Sequence, residues 1–310
     1  MTESVLHLVL TLVGAPFLLS VINRTKALVA GRRGQPWLQP YYDLLRLLRK
    51  GAVYSHTTTW VFRAGPVIGL AAVLTAAALL PFGSARALLW FQGDFIVFVY
   101  LLGLARLVTV LAALDTGSSF EGMRANREVW FSALAEPALM LGLAAVAREV
   151  GGTGPLSLSD LHLGMSTAVW TQVGFVLALV AVAWAVVLLS ENCRLPVDDP
   201  TTHLELTMIH EVMHLDHSGP DFAFILYGAA LKLWLFAALF VGLLLPVGTG
   251  LAGLDTAIGM VGVLAVAVVI GVIESVIARL RLPTIPQLLI GACALAALAF
   301  LIERHGVLLP

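Results

Sequence analysis

The densest chemistry in the chain is one continuous run, Glu191-Asn-Cys-Arg-Leu-Pro-Val-Asp-Asp-Pro-Thr-Thr-His-Leu-Glu-Leu-Thr-Met-Ile-His-Glu-Val-Met-His-Leu-Asp-His-Ser-Gly219. Glu191, Asp198, Asp199, Glu205, Glu211 and Asp216 stand there against a single cation, Arg194, with His203, His210, His214 and His217 interleaved. Carboxylates gathered where the dielectric is low raise one another's pKa and can hold or pass protons near neutral pH. Histidines extend the same relay. The plainer reading is a solvated acidic loop over about 191–221, turned by Pro196 and Pro200. Its length and charge exceed what a connection between helices requires. A rival chemistry lies inside it: His210-Glu211-Val212-Met213-His214 spells H-E-x-x-H. On a helix that spacing sets two imidazoles on one face beside a general base, the arrangement of a zinc metalloprotease. Glu205 or His217 would have to supply a third ligand. Against this reading, the run lies between apolar segments, which leaves little room for a substrate cleft.

Ionisable residues also interrupt the apolar segments themselves: Asp94, Arg106, Asp115, Glu136, Arg148, Glu149, Lys232 and Glu274. At the bilayer centre such a side chain costs at least about 2.5–3.5 kcal/mol, so it usually faces a polar interior and marks an ion or proton route. Asp94, Asp115, Arg148 and Glu149 fall near segment ends and are expected to snorkel. Glu136, Lys232, Arg106 and Glu274 are not explained that way. The first polar stretch carries Arg32, Arg33, Gln39 and Asp43, then Leu44-Leu45-Arg46-Leu47-Leu48-Arg49-Lys50. This reads as an amphipathic helix lying in the membrane plane, with leucines towards lipid or protein and cations towards headgroups. It serves either as an anchor or as the frame of an opening for a partner or lipophilic ligand.

Composition dictates the elements that must hold these residues. Hydrophobic residues make up 59% of the 310 and charged residues 12%, with a mean hydropathy of +0.95. Soluble domains carry about 25% charged residues. An all-α, polytopic integral membrane protein is expected, with about eight transmembrane helices near 4–23, 64–82, 94–114, 131–150, 169–190, 222–246, 256–278 and 286–303. The first of these is read as a retained helix, because it lacks a basic leader and a cleavage site. One domain over 1–310 is the simplest organisation. Lys and Arg concentrate in the odd-numbered loops (eight in the first, then Arg124, Arg127, Arg194, Arg279 and Arg281), while the even loops hold Arg86 alone. The positive-inside rule then puts the odd loops in the cytoplasm and both termini on the outer, periplasmic side of an inner membrane. A net charge of −1 gives no sign of nucleic-acid binding, and Cys193 and Cys293 are the only cysteines. Two separated thiols cannot ligate an iron–sulfur cluster or build a Cys-rich zinc site. Any redox centre must therefore sit on another subunit, and no cofactor is expected on this one.

Three blocks, in order along nearly the whole chain, resemble the membrane subunit 1 family of respiratory complex I. The blocks are Arg32-Arg33-Gly34 with Leu38-Gln39-Pro40, Asp43 and Leu47-Leu48; Asp115-Thr-Gly-Ser-Ser-Phe with Arg127-Glu128 and Glu136-Pro137; and Glu191 with Arg194-Leu-Pro-Val-Asp198, Glu205-Leu and Asp216-His-Ser-Gly219. The second block and the tail from Glu274 to Leu282 look closer to the homologous membrane subunit of group 4 nickel–iron hydrogenases and formate hydrogenlyase. The resemblance implies a subunit with no redox chemistry of its own. Such a subunit docks a hydrophilic arm carrying the iron–sulfur clusters and the nickel–iron or quinone site. It then passes energy to proton or sodium movement in antiporter-like membrane subunits. It implies Glu136 at the start of a proton path, Asp198, Glu205 and Asp216 in the acidic loop beneath the arm, and Arg32 and Arg33 near a quinone opening. The sequence departs from complex I at Val197, where Phe is usual, at Asp216, where Glu is usual, and at Lys232, in a neighbourhood where complex I carries Glu. The loop is also longer by about one helical turn, which takes in H-E-x-x-H. These departures favour the hydrogenase type over a quinone-reducing NADH dehydrogenase and leave quinone binding open.

Overall fold

A computed structural model of the chain describes residues 2–151, 157–198, 211–246 and 248–302. Ten α-helices account for most of it: α1 (Thr2–Val29), α2 (Gln39–Leu48), α3 (Trp60–Leu79), α4 (Asp94–Asp115), α5 (Ser119–Gly151), α6 (Leu158–Gly164), α7 (Thr167–Glu191), α8 (Gly219–Leu244), α9 (Ala252–Val276) and α10 (Thr284–Leu301). All but α2 and α6 are long and apolar enough to span a bilayer. The protein is therefore a multi-pass, all-helical membrane protein, with the eight spans expected from its hydropathy. In such a helix every backbone N–H and C=O is satisfied within the segment, which is what hydrocarbon demands.

Helix α8 is the hub. It packs against α1, α2, α3, α7 and α9, and Leu231, Leu233, Trp234, Leu235 and Phe236 are buried along it. α4 lies along α3, and α5 and α7 share α10 as a neighbour. A smaller apolar cluster, Phe131, Ala135, Val197, Ile285 and Leu289, ties the start of the acidic loop to α5 and α10.

Two sequence expectations need correcting. The fourth span does not begin near residue 131: α5 starts at Ser119 and runs 33 residues. Arg124 and Arg127 belong to its first turns rather than to a loop, and Arg124 is fully buried. A hydropathy window stops at such cations, but the helical backbone continues through them. Asp94 does not snorkel, and Asp115 and Arg148 are held by the backbone of other elements. Asp94, also fully buried, accepts from Leu158 N at 2.6 Å. Asp115 accepts from Thr59 N at 2.7 Å and Phe62 N at 3.2 Å, satisfying free donors at the start of α3. Arg148 donates to Phe300 O at 2.7 Å.

The described end of the acidic loop is stapled to the segment before α3. Ser218 Oγ accepts from Val53 N at 2.9 Å. Gly219 takes a φ of +57°, and a Cβ there would sit 2.6 Å from Gly51 O, so both the turn and the close approach require glycine. The His217 ring stacks on Phe62 with centroids 3.9 Å apart. Burial lowers the His217 pKa, more than nearby Asp221 and Asp216 raise it. The folded state thus prefers the neutral ring. The stability this contact contributes is fully present above the unfolded value of about 6.5 and is lost as pH falls through the lower folded pKa. The unfolding midpoint of the detergent-solubilised protein is expected to drop on mild acidification, and His217→Phe to flatten that dependence.

Candidate functional site

Four spanning helices converge their charges on Arg106. Its side chain, 8% exposed, bonds Glu136 Oε1 through Nη1 and Glu191 Oε2 through Nη2, and its Nε lies 3.7 Å from Glu128 Oε1. Lys232 Nζ reaches the same Glu191 oxygen at 2.9 Å. Arg106 comes from α4, Glu128 and Glu136 from two positions on α5, Glu191 from the last turn of α7, and Lys232 from α8. Glu136 Oε1 lies over Gly103 of α4, 3.3 Å from where a Cβ there would sit. Three carboxylates thus share two cations inside the bundle. A buried ion pair is held by mutual attraction at low dielectric, and removing one member leaves an uncompensated charge.

A second ion system lies between α1, α9 and the loops. Glu274, with a fully buried side chain, receives Lys26 at 2.8 Å and Arg194 at 3.3 Å. Arg279 pairs with Asp198 at 3.3 Å, and Leu280 N donates to Pro196 O at 3.0 Å, so the loop after α9 grips the loop after α7. Both ion systems line one cavity of about 1390 Å³. Its apolar wall includes Leu19, Leu70, Val73, Leu102, Phe224 and Leu233, and Arg32, Arg33, Pro40, Asp43 and Leu44 border it at the amphipathic helix. Cys193 lines it too. Burial, then Glu128 and Asp198, push its thiol well above the ordinary range, so it stays neutral and unreactive.

The residues singled out in the sequence fall into separate places. Glu136, Glu191 and Lys232 meet at the first system, and Lys232 pairs with Glu191 rather than with Glu136. Glu274, Asp198 and Arg194 belong to the second. Arg32 and Arg33 are exposed, while Gln39 donates to Asp43 at 2.8 Å within α2. No residue of α2 is buried, and its aromatic approach is anchored by Trp37, stacked on Phe17 and capped by Arg24. Asp216 is exposed. Asp199, Glu205 and His210 lie outside the described residues, and of Glu211 only the backbone is described. Glu211–His214 form one 3-10 turn, which eclipses side chains three apart instead of aligning those four apart. Among the described residues no three His, Cys, Asp or Glu side chains come together as a metal-binding group.

Arg106 and Glu128 carry as much of the site as the residues read as its leading members. Arg106 is visible as a cation in an apolar segment, and Glu128 lies about two turns before Glu136 on one helix. Neither spacing reveals that all three carboxylates reach one guanidinium.

The structure is thus a membrane bundle with ion pairs between its spans and a broad cavity beside them. The chain belongs to the NADH dehydrogenase family, whose model matches residues 2–303. It is 34% identical to formate hydrogenlyase subunit 4 of Escherichia coli (strain K12) over 294 residues, covering 92% of this chain and 93% of that protein. It is 31% identical to hydrogenase-4 component C of the same strain over 314 residues, covering 99% and 96%. A subunit of the NADH-quinone oxidoreductase of Anaplasma phagocytophilum (strain HZ) is more distant, at 26% over 255 residues, 76% of this chain and 72% of that one. The fold matches a chain of the membrane-bound sulfane sulfur reductase, an archaeal respiratory membrane complex, with a TM-score of 0.80 at 19% identity over 96% of this chain and 98% of that one. The family resemblance carried by the three sequence blocks is thereby established.

Replacing Arg106 by Met is expected to leave the buried Glu128 and Glu191, with Glu136 beside them, facing one lysine, and to cost about 3–5 kcal/mol of stability. A thermal unfolding series in detergent measures it. Arg106→Lys, which keeps a cation but not the fork, should fall between the two.

Proposed function

We propose that this chain is the membrane anchor and coupling subunit of a complex I-like assembly of the group 4 hydrogenase or formate hydrogenlyase type. A hydrophilic arm of nickel–iron and iron–sulfur subunits would dock on the face bearing the acidic loop, α2 and the loop after α9. Antiporter-like membrane subunits would take up the energy. The positive residues on that face support its placement in the cytoplasm, with both termini outside. Eight crossings return the chain to the side from which it started.

The observation that carries this reading is the shared guanidinium. A charge change in the arm alters the potential along the loop from Asp198 to His217 and at the cavity it borders. Glu191 is the hinge of the response, because it is held by Arg106 and Lys232 together. If its pairing weakens, one of the three carboxylates gains or gives up a proton to restore balance. The proton would move between Glu128, Glu191 and Glu136, with the second system around Glu274 setting the potential on the other side of the cavity. No redox step falls on this chain; the expected clusters lie on the partners.

A second reading rests on the cavity. Its volume and apolar wall would accept a quinone, with the tail beside α2 and the headgroup towards the ion pairs, in a quinone-reducing relative of complex I. Organic extraction of the purified complex separates the two: stoichiometric quinone favours the second, and its absence alongside a nickel–iron large subunit favours the first.

The direct test is Glu191→Gln in the assembled complex, assayed in inverted vesicles. Electron flux is expected to persist while proton or sodium translocation per electron falls at least several-fold. Unchanged translocation at unchanged flux would remove Glu191 from the path.

A further inference from the structure

Pro16 interrupts α1 in mid-helix. Its ring nitrogen carries no hydrogen, so the carbonyl four residues back, that of Leu12, loses its intrahelical donor, and the ring crowds the same turn. In hydrocarbon such a carbonyl must be met from elsewhere. Tyr227 of α8 meets it, its hydroxyl donating to Leu12 O at 2.9 Å. The next carbonyl, Val13 O, accepts from the hydroxyl of Tyr41 on α2. Burial raises the Tyr41 pKa above its ordinary value, so the phenol keeps its proton and stays a donor. One proline notch thus joins three elements through two phenols.

The joint lies on the wall of the large cavity. Pro16 and Leu19 of α1, Pro40 and Leu44 of α2 and Phe224 of α8 line the cavity from this side. Val9, Val13 and Tyr42 are exposed around the joint, which puts it on the outside of the bundle. Tyr227 stands about 12 Å inside the start of α8 at Gly219. Just past the other end of α2, Gly51 lies against Gly219 itself. Helix α2 therefore runs beside the first turns of α8 and covers the seam between α8 and α1. No residue of α2 is buried, so its seat depends on directional contacts: the Tyr41 hydroxyl, and Trp37 stacked on Phe17 just before the helix begins. The exposed residues at the cavity's rim, Val29, Arg32, Arg33 and Leu215, stand at the loop end instead.

We propose that the two phenols bolt α2 and α8 onto the Pro16 notch and so shut the bilayer-facing seam of the cavity, excluding acyl chains and other long-tailed guests and leaving the loop end as its way in. This deepens the hydrogenase-type reading of the chain and rests on it for the use of the cavity. A cavity that serves a docked arm and an ion path needs polar access from the loops and no route for a lipid-borne substrate. Tyrosine suits the joint, because its ring packs among apolar side chains while its hydroxyl reaches a backbone acceptor. Phenylalanine would keep the packing and lose the bond.

The test uses the assembled complex in vesicles of phosphatidylcholine that include a share of the same lipid with a diazirine in its acyl chain. After irradiation, adducts are mapped by mass spectrometry and scaled to the most heavily labelled span of this chain. With both tyrosines in place, the cavity wall at Leu19, Leu70 and Leu233 is expected to carry almost none. Tyr41→Phe with Tyr227→Phe is expected to raise labelling there several-fold, with the outer faces of the spans unchanged. Should the double variant fail to assemble, Tyr41→Phe alone frees α2 while α8 stays joined to α1, and a rise is expected there too. Cavity labelling equal to that of lipid-facing positions in the unaltered chain would overturn the closed seam. Labelling that ignores the loss of the hydroxyls would overturn their part in closing it. The coupling role fails separately, if no hydrogenase-type subunits co-purify, and that result leaves the labelling to decide the seam.

Discussion

The arrangement of this bundle depends on one guanidinium. Arg106 sits in the middle of an otherwise apolar helix, where a lone cation would be expelled, and it is retained because α5 and α7 bring carboxylates to it from three directions. Glu136 lies over Gly103 of α4, and Glu191 reaches Arg106 from the last turn of α7. Lys232 then has its place on α8 as the second cation on Glu191. Replacing the set by hydrocarbon of similar volume would often be neutral or favourable to stability. Its presence therefore argues for a function rather than for strength.

The two ion systems, joined by one cavity, give the structure a division of labour. The Arg106 system lies between spans, with Glu136 its most exposed member. The Glu274 system lies at the loops and is held by Lys26 and Arg194, with the Arg279–Asp198 pair beside it. A charge arriving at the loops therefore acts on the second system directly and on the first through the shared cavity and Glu191. Both described ends of the acidic loop are fastened. Arg279 holds Asp198 at one, and the staple of His217 on Phe62 and Ser218 on Val53 holds the other.

Much of this is legible in the residues. Hydropathy alone marks eight spans, and the basic residues mark one face, because both reflect the cost of placing charge in hydrocarbon. Glu136, Lys232 and Glu274 stand out for the same reason. Partnership is what cannot be read. Arg106 to Glu136 spans 30 residues and Arg106 to Glu191 spans 85, and no periodicity encodes a meeting between separate helices. Hydropathy misplaces the start of α5 because it falls at Arg124 and Arg127 although the helix does not end. Asp94 and Asp115 look like snorkelling charges because a cap on another element's backbone leaves no local spacing to detect. Of the H-E-x-x-H spelling, Glu211–His214 form a 3-10 turn, and His210 lies outside the described residues.

The central claim is that redox change in the arm alters protonation within the Arg106 system. Redox-triggered infrared difference spectroscopy of the assembled complex tests it most directly, by following the carboxylic C=O stretch as electrons enter. The expected result is a carboxyl band that appears or shifts on reduction and is lost in Glu191→Gln or Glu136→Gln with electron flux retained. A difference spectrum without any carboxyl signal, or one identical in both variants, would contradict the claim and leave these ion pairs as structural fastenings.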